Sequence, residues 1–254
     1  MRLTFFLALT ILFLISGSVH SQVWKMKRYE AEAGLGGTFY MGDIGSITPK
    51  ENIAGLKDVV FQFTRPVIHL GFRYKFYERI WVKMNLNYGW LYGNDTYGSN
   101  DTRGVVFRTS LFETTFQGEF AFIPDKTSNN YLMMKGKGIM SFASSISFYG
   151  FAGFGPVFFF PKVLEDPNNR TSTDFSKVTL AFPLGLGVKY GLTPDWNIGF
   201  ELGGRFTLTD YLDAFTSQWS KANDFYYFAT FHIIYKLDTS RKGWPVLSKN
   251  RLGY

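Results

Sequence analysis

The sequence predicts an all-β fold: an eight-stranded, up-and-down antiparallel outer-membrane β-barrel with a closed, side-chain-filled lumen. Three observations predict it. Eight segments alternate apolar and polar residues with period two, as strands with two unlike faces require. Long polar connections alternate with short ones along the chain. The first 21 residues have the layout of an export signal: Arg2, an apolar run from Leu3 to Ile15, then SGSVHS with a cut expected before Gln22. That run is too short to span a bilayer, and no later segment reaches the roughly 18 apolar residues of a spanning helix.

The strands follow in order. In 29–41 the odd positions are Tyr, Ala, Ala, Leu, Gly, Phe and Met, set against Glu30 and Glu32. In 68–76 Ile68, Leu70, Phe72, Tyr74 and Phe76 interleave with His69, Gly71, Arg73 and Lys75. IWVKMNLNYGW (80–90) sets Ile80, Val82, Met84 and Leu86 against Trp81, Lys83, Asn85 and Asn87, and FETTFQGEFAF (112–122) sets four Phe against Glu113, Thr115, Gln117 and Glu119. Residues 146–160 are rich in Gly and Phe, with blurred alternation. VTLAFPLGLGVKY (178–190), WNIGFELGGRFTL (196–208) and FYYFATFHIIYKL (225–237) complete the set. An even number of strands, each able to supply 9–11 spanning residues, suits a membrane barrel.

The connections at 42–66, 93–104, 161–177 and 209–223 are long, whereas those at 77–79 and 191–195 are tight. In such barrels long loops lie outside and short turns face the periplasm. The connection 124–145 breaks this rule, being long where a turn is expected. The organisation expected is a signal peptide at 1–21, a barrel at 22–237 and a basic periplasmic tail at 238–254.

A soluble barrel would point its apolar faces inward. Here the polar faces are crowded with Gly, as a narrow lumen needs, and Tyr and Trp gather near strand ends (Tyr29, Tyr40, Tyr74, Tyr77, Trp81, Tyr88, Trp90, Tyr92, Tyr190 and Trp196), where interfacial girdles lie. The apolar faces, Trp196, Ile198 and Phe200 among them, are therefore expected in lipid. The lumen would hold Glu30, Glu32, Glu113, Glu119 and Glu201 with Arg73, Lys75, Lys83, Lys189, Arg205 and Lys236, a near-balanced set able to pair as buried charges must. Eight strands leave an interior that side chains can fill.

Reactive groupings are sparse. With the signal removed, His69 and His232 are the chain's histidines, both on the lumen face, and neither sits in a hydrolase-like grouping. There is no Cys, phosphate loop or paired metal-ligand helix motif, so no catalytic residue, cofactor or metal site is expected and the chain reads as a non-enzyme. Asp210 and Asp213 could join Asp43 or Asp224 around calcium, but the ligand spacing is not specific and loop-capping carboxylates are the expected reading. The triplets at 94–96, 100–102 and 169–171 match the short N-glycosylation pattern.

The chain carries a formal charge of +7, of which Arg2 belongs to the signal. The excess gathers on the expected periplasmic side: Lys126, Lys135 and Lys137 in 124–145, and Arg241, Lys242, Lys249 and Arg251 in the tail. These seven are candidates for docking a periplasmic partner or for meeting lipid headgroups. No nucleic-acid partner is expected.

GGTFYMGDIG (36–45), HLGFRYKFYERIWVKMNLNYGWLYGND (69–95), RTSLFETTFQGEF (108–120), GFAGFGPVFFFP (150–161), PLGLGVKYGLTPDWNIGFELGGRFTLTDYLD (183–213) and DFYYFATFHIIYKL (224–237) resemble, in order, the blocks of PorG-like proteins. GDIG and TDYLD are the most specific pieces, and the segment 124–145 departs from the usual pattern. The resemblance implies a barrel component of the type IX secretion system of Bacteroidetes, associated with outer-membrane lipid and with a periplasmic ring of PorK-like lipoprotein and PorN-like protein. It implies no catalytic residue. The alternative is a free-standing small surface barrel: an adhesin, a narrow pore or a lipid-modifying enzyme.

Overall fold

The computed structural model describes residues 23–42, 44–45, 61–95, 103–124, 146–168, 171–172, 174–215, 223–240 and 242–246. The segment 1–21, expected to be an export signal, lies outside them. Eight strands form the barrel: β1 (Tyr29–Met41), β2 (Arg65–Lys75), β3 (Ile80–Asn94), β4 (Val106–Ile123), β5 (Ile146–Glu165), β6 (Val178–Gly191), β7 (Trp196–Thr207) and β8 (Phe225–Thr239). Each pairs antiparallel with its sequence neighbours, and β1 pairs with β8 along its whole length, from Tyr29↔Leu237 to Met41↔Phe225. The ring therefore closes and leaves no edge strand with unpaired amides, which a bilayer would not tolerate. Among the described residues no helix is long and apolar enough to cross a membrane.

The connections 76–79 and 192–195 are tight hairpins, closed by Phe76 and Tyr77 donating to the Ile80 carbonyl and by Leu192 and Thr193 donating to that of Trp196. They define a turn end, at which the barrel also begins and ends; the long connections define a loop end. β8 runs two residues past the expected barrel limit. The tail then folds back as β9 (Pro245–Val246) on Asp238 and Thr239, through Gly243 at φ 86°.

Outward positions form a continuous apolar belt. Leu70 is 50% exposed and Phe231 69%, and Phe72, Phe116, Leu184, Ile198 and Leu202 are likewise exposed. A water-soluble protein rarely shows so large an apolar surface, whereas lipid requires one. β5 explains its blurred pattern: Phe148, Phe154, Phe158 and Phe160 point out, while Phe151, Val157 and Phe159 are buried inside. Two residues assigned to the girdle by sequence, Tyr40 and Trp81, are inward and buried. Trp81 shares its face of β3 with Lys83, and Lys75 and Lys189 lie over its ring at 4.7 and 4.4 Å.

If the belt meets lipid, Leu70→Arg near the middle of β2 should cost about 2–4 kcal/mol of folding stability, the value for a cation near the bilayer midplane. Denaturant-driven unfolding from lipid vesicles measures it.

Candidate functional site

The lumen is built in two storeys. The turn-end storey is polar. Arg73, fully buried, reaches four carboxylates: Glu30 at 3.2 Å, Glu32 at 3.2 Å, Glu119 at 2.9 Å and Glu201 at 3.0 Å. Lys83 lies 2.5 Å from Glu32 and 2.7 Å from Glu201, and Lys189 pairs with Glu30 at 3.2 Å. Register produces this clustering. Arg73 is the cross-strand neighbour of both Glu30 and Lys83, and Lys236 is that of Glu30, so the inward positions of β1, β2, β3 and β8 meet at one level. Glycines on the same face make room. A Cβ on Gly71 would strike the Glu32 carboxylate, and one on Gly187 the ring of Tyr149. Tyr149 uses that space to donate to Glu201 at 2.6 Å.

All eleven charged residues expected in the lumen are buried there. Glu113 and Arg205 sit higher than the rest, their closest charged atoms 3.6 Å apart. Glu113 also accepts from Asn87 at 2.9 Å and Tyr226 at 2.6 Å, and Arg205 lies over the Phe228 ring at 4.2 Å. His69 and His232 join the network with ring centroids 4.3 Å apart. His69 Nε2 is 2.9 Å from Glu32 and Nδ1 is 2.6 Å from Asn87, while His232 Nε2 is 2.6 Å from Thr230. Glu32, His69 and His232 bring three potential metal-ligand atoms within 4.8 Å. Their carboxylate is already held by Lys83 and Arg73, so a divalent cation would have to enter beside two fixed positive charges. The trio fits a hydrogen-bonded part of the charge network better than a metal centre.

The loop-end storey is apolar, and sequence reading missed it. Val67, Leu91, Phe107, Leu111, Val157, Phe159, Tyr226 and Phe228 fill the lumen from five strands. The segment Asp210–Phe215 folds over them as a lid, driving Leu212 and Phe215 into the cluster and stacking Tyr211 on Phe175 at 5.1 Å. Thr109 donates to the Leu212 carbonyl at 2.5 Å, and Arg103 pairs with Asp95 at 2.6 Å while covering the Phe215 ring. The available signal was that β5 and β8 become apolar on both faces toward this end.

Asp213 and Asp224 latch the lid. The Tyr40 hydroxyl lies 2.8 Å from Asp213 Oδ2 and 2.7 Å from Asp224 Oδ1. One hydroxyl hydrogen serves one carboxylate, so the second contact needs a protonated carboxyl donating to the Tyr40 oxygen. Burial, then the Asp213 charge, push Asp224 well above the usual carboxylate range. Their other oxygens accept from the amides of Phe215 at 2.9 Å and Leu212 at 2.8 Å. Asp213 thus caps the loop, as expected of the TDYLD carboxylates, and Asp224 caps it from just before β8. Asp43 lies outside the described residues.

At the turn end, the tail hairpin is tied down by Tyr29, which donates to the Gly243 carbonyl at 2.8 Å, and Trp244 projects 70% exposed. Lys242 lies in this hairpin. The other docking candidates, Lys126, Lys135, Lys137, Arg241, Lys249 and Arg251, lie outside the described residues. On the outer wall, Leu35, Ile68, Leu70, Ile198, Phe200 and Phe231 line an apolar groove.

Fold and lumen together define a small membrane barrel whose interior is filled by its own side chains. The chain belongs to the outer membrane protein beta-barrel domain family, whose model matches residues 9–233. It is an outer-membrane barrel. No curated protein matches it. Among solved structures it is similar to Neisserial surface protein A, at 11% identity and TM-score 0.46, over 82% of this chain and 96% of that one. It is also similar to OprG from Pseudomonas aeruginosa, at 11% identity and TM-score 0.40, over 83% and 93%. The outer-membrane enzyme PagL gives 14% identity and TM-score 0.34, over 81% and 97%.

Two outcomes are expected. Arg73→Met leaves four carboxylates without their shared guanidinium and should cost about 3–5 kcal/mol, the range for breaking a buried ion pair; equilibrium unfolding in detergent measures it. The raised pKa of Asp224 means that the lid's stability is fully present below the ordinary aspartate pKa and is lost as pH rises through the higher folded value. Hydrogen exchange at the Leu212 and Phe215 amides should therefore show extra opening as pH rises, beyond the intrinsic pH dependence of exchange. Asp224→Asn, which can donate to Tyr40 and accept from Leu212 at any pH, should abolish that extra opening.

Proposed function

We propose that this barrel is a non-enzymatic, non-conducting anchor in the outer membrane that positions the periplasmic ring of a type IX protein secretion machine. The filled lumen carries the reading. An interior occupied by a charge network at one end and an apolar plug at the other leaves the rims and outer wall as working surfaces. Of these, the turn-end rim faces the periplasm in barrels of this design. It bears the tied-down tail hairpin with exposed Trp244, an aromatic of the kind enriched at interfaces, and beside it the exposed cation Lys242. The resemblance of the ordered sequence blocks to PorG-like proteins supplies the partner: a PorK-like lipoprotein and a PorN-like protein.

The test is recovery of those two proteins with the tagged chain from gently solubilised outer membranes. Co-purification is expected, and Lys242→Glu combined with Trp244→Ala should reduce it several-fold while heat-stable barrel assembly is unchanged. A barrel recovered alone, where a tagged ring subunit still captures its own partner, would contradict the proposal and favour a free-standing surface barrel.

A further inference from the structure

Three outward rows cross β3, β4 and β5 toward the loop end. Tyr88, Phe112 and Phe158 form the first, Trp90, Ser110 and Phe160 the second, and Tyr92, Arg108 and Lys162 the third. Each row stands about 7 Å above the one before, from the rise of two strand residues. The first two are largely aromatic and suit the upper acyl region and its boundary. The third places two cations directly opposite each other on adjacent strands. Like charges in that relation destabilise a sheet. Both are exposed, and among the described residues neither has a carboxylate partner.

Some other cations on the described surface are paired or stacked. At the turn end Lys27 pairs with Asp195 and lies 3.8 Å from Asp238. At the loop end Arg65 stacks over Tyr92 at 4.2 Å and donates to the Gln62 and Thr64 carbonyls. The acid nearest Arg108 and Lys162 along these strands, Glu165, lies three residues beyond Lys162 and opposite Val106. Among the described residues the pair faces no anion, and it stands one row beyond the aromatic rows.

We propose that Arg108 and Lys162 clasp the phosphate of an outer-leaflet lipid headgroup, with Tyr92 beside the site and the lipid's chains descending over Ser110 between Trp90 and Phe160. Arg108 supplies a planar fork and Lys162 a point charge, so that one phosphate takes charge-assisted bonds from both and relieves their repulsion. The site is independent of any periplasmic partner.

The full chain in phosphate-free nonionic detergent tests this by native mass spectrometry. Lipid A, carrying phosphates, should be retained saturably, and diacylglycerol should not. Arg108→Gln/Lys162→Gln should weaken lipid A binding by about tenfold or more, since two charge-assisted bonds are lost. Arg108→Lys should retain most of it, which keeps the test valid should the double variant assemble poorly. The thermal midpoint of the double variant without lipid should equal or exceed that of the parent. Unchanged lipid A binding in the double variant overturns the proposal. So does displacement of lipid A by inorganic phosphate at comparable concentration, which would make the site one for a free anion.

Discussion

The fold depends on Arg73 being shared by four carboxylates inside a wall that faces lipid. In a soluble protein charged residues turn to water and the apolar faces form the core. Here the apolar faces are taken by the membrane, so the charges must be satisfied inside. Burying an ion is very costly unless it is paired and hydrogen-bonded. Arg73, Lys83 and Lys189 against Glu30, Glu32, Glu119 and Glu201 meet that condition through register: they are inward residues of different strands brought to one level. The network therefore reads out correct closure, because a one-residue slip of any strand would turn its charges into lipid.

The second storey solves a different problem. Toward the loop end the lumen would otherwise open to water, and an apolar plug with its own lid closes it. The lid is held by Leu212 and Phe215 in the cluster and by two aspartates on one tyrosine hydroxyl. Ala214, at φ 61°, adopts a conformation that a residue with a Cβ rarely takes. It sits between the latch residue Asp213 and the buried Phe215, and the packing on both sides fixes it there.

Most of this barrel was legible in the sequence, because period-two alternation, loop lengths and the balance of lumen charges are local or additive properties. All eight strands lie where the alternation put them, with ends differing by up to six residues: β4 begins at Val106 rather than 112, and β5 runs on to Glu165 rather than 160. The lumen side of Glu30, Arg73 and Lys83 followed from parity alone. What parity could not supply was height. Trp81 and Tyr40 belong to strand ends, and sequence placed them in a girdle; their inward parity wins because Lys75, Lys189, Asp213 and Asp224 wait inside for them. The lid was hidden for the same reason. TDYLD reads as a polar loop, and only the neighbouring apolar lumen makes a core residue of Leu212. The clasp row of Arg108 and Lys162 depends on cross-strand register, which no single strand displays.

A barrel filled at two levels by its own side chains leaves a turn-end rim with an exposed Trp244 and an outer wall on which, among the described residues, Arg108 and Lys162 have no carboxylate partner. Single-channel recording of the purified chain in a planar bilayer tests this most directly. A filled lumen should give no steady conductance, at any voltage the bilayer withstands. Reproducible ohmic steps from the folded chain would show an aqueous path through the Arg73 network, and would contradict the account at its centre.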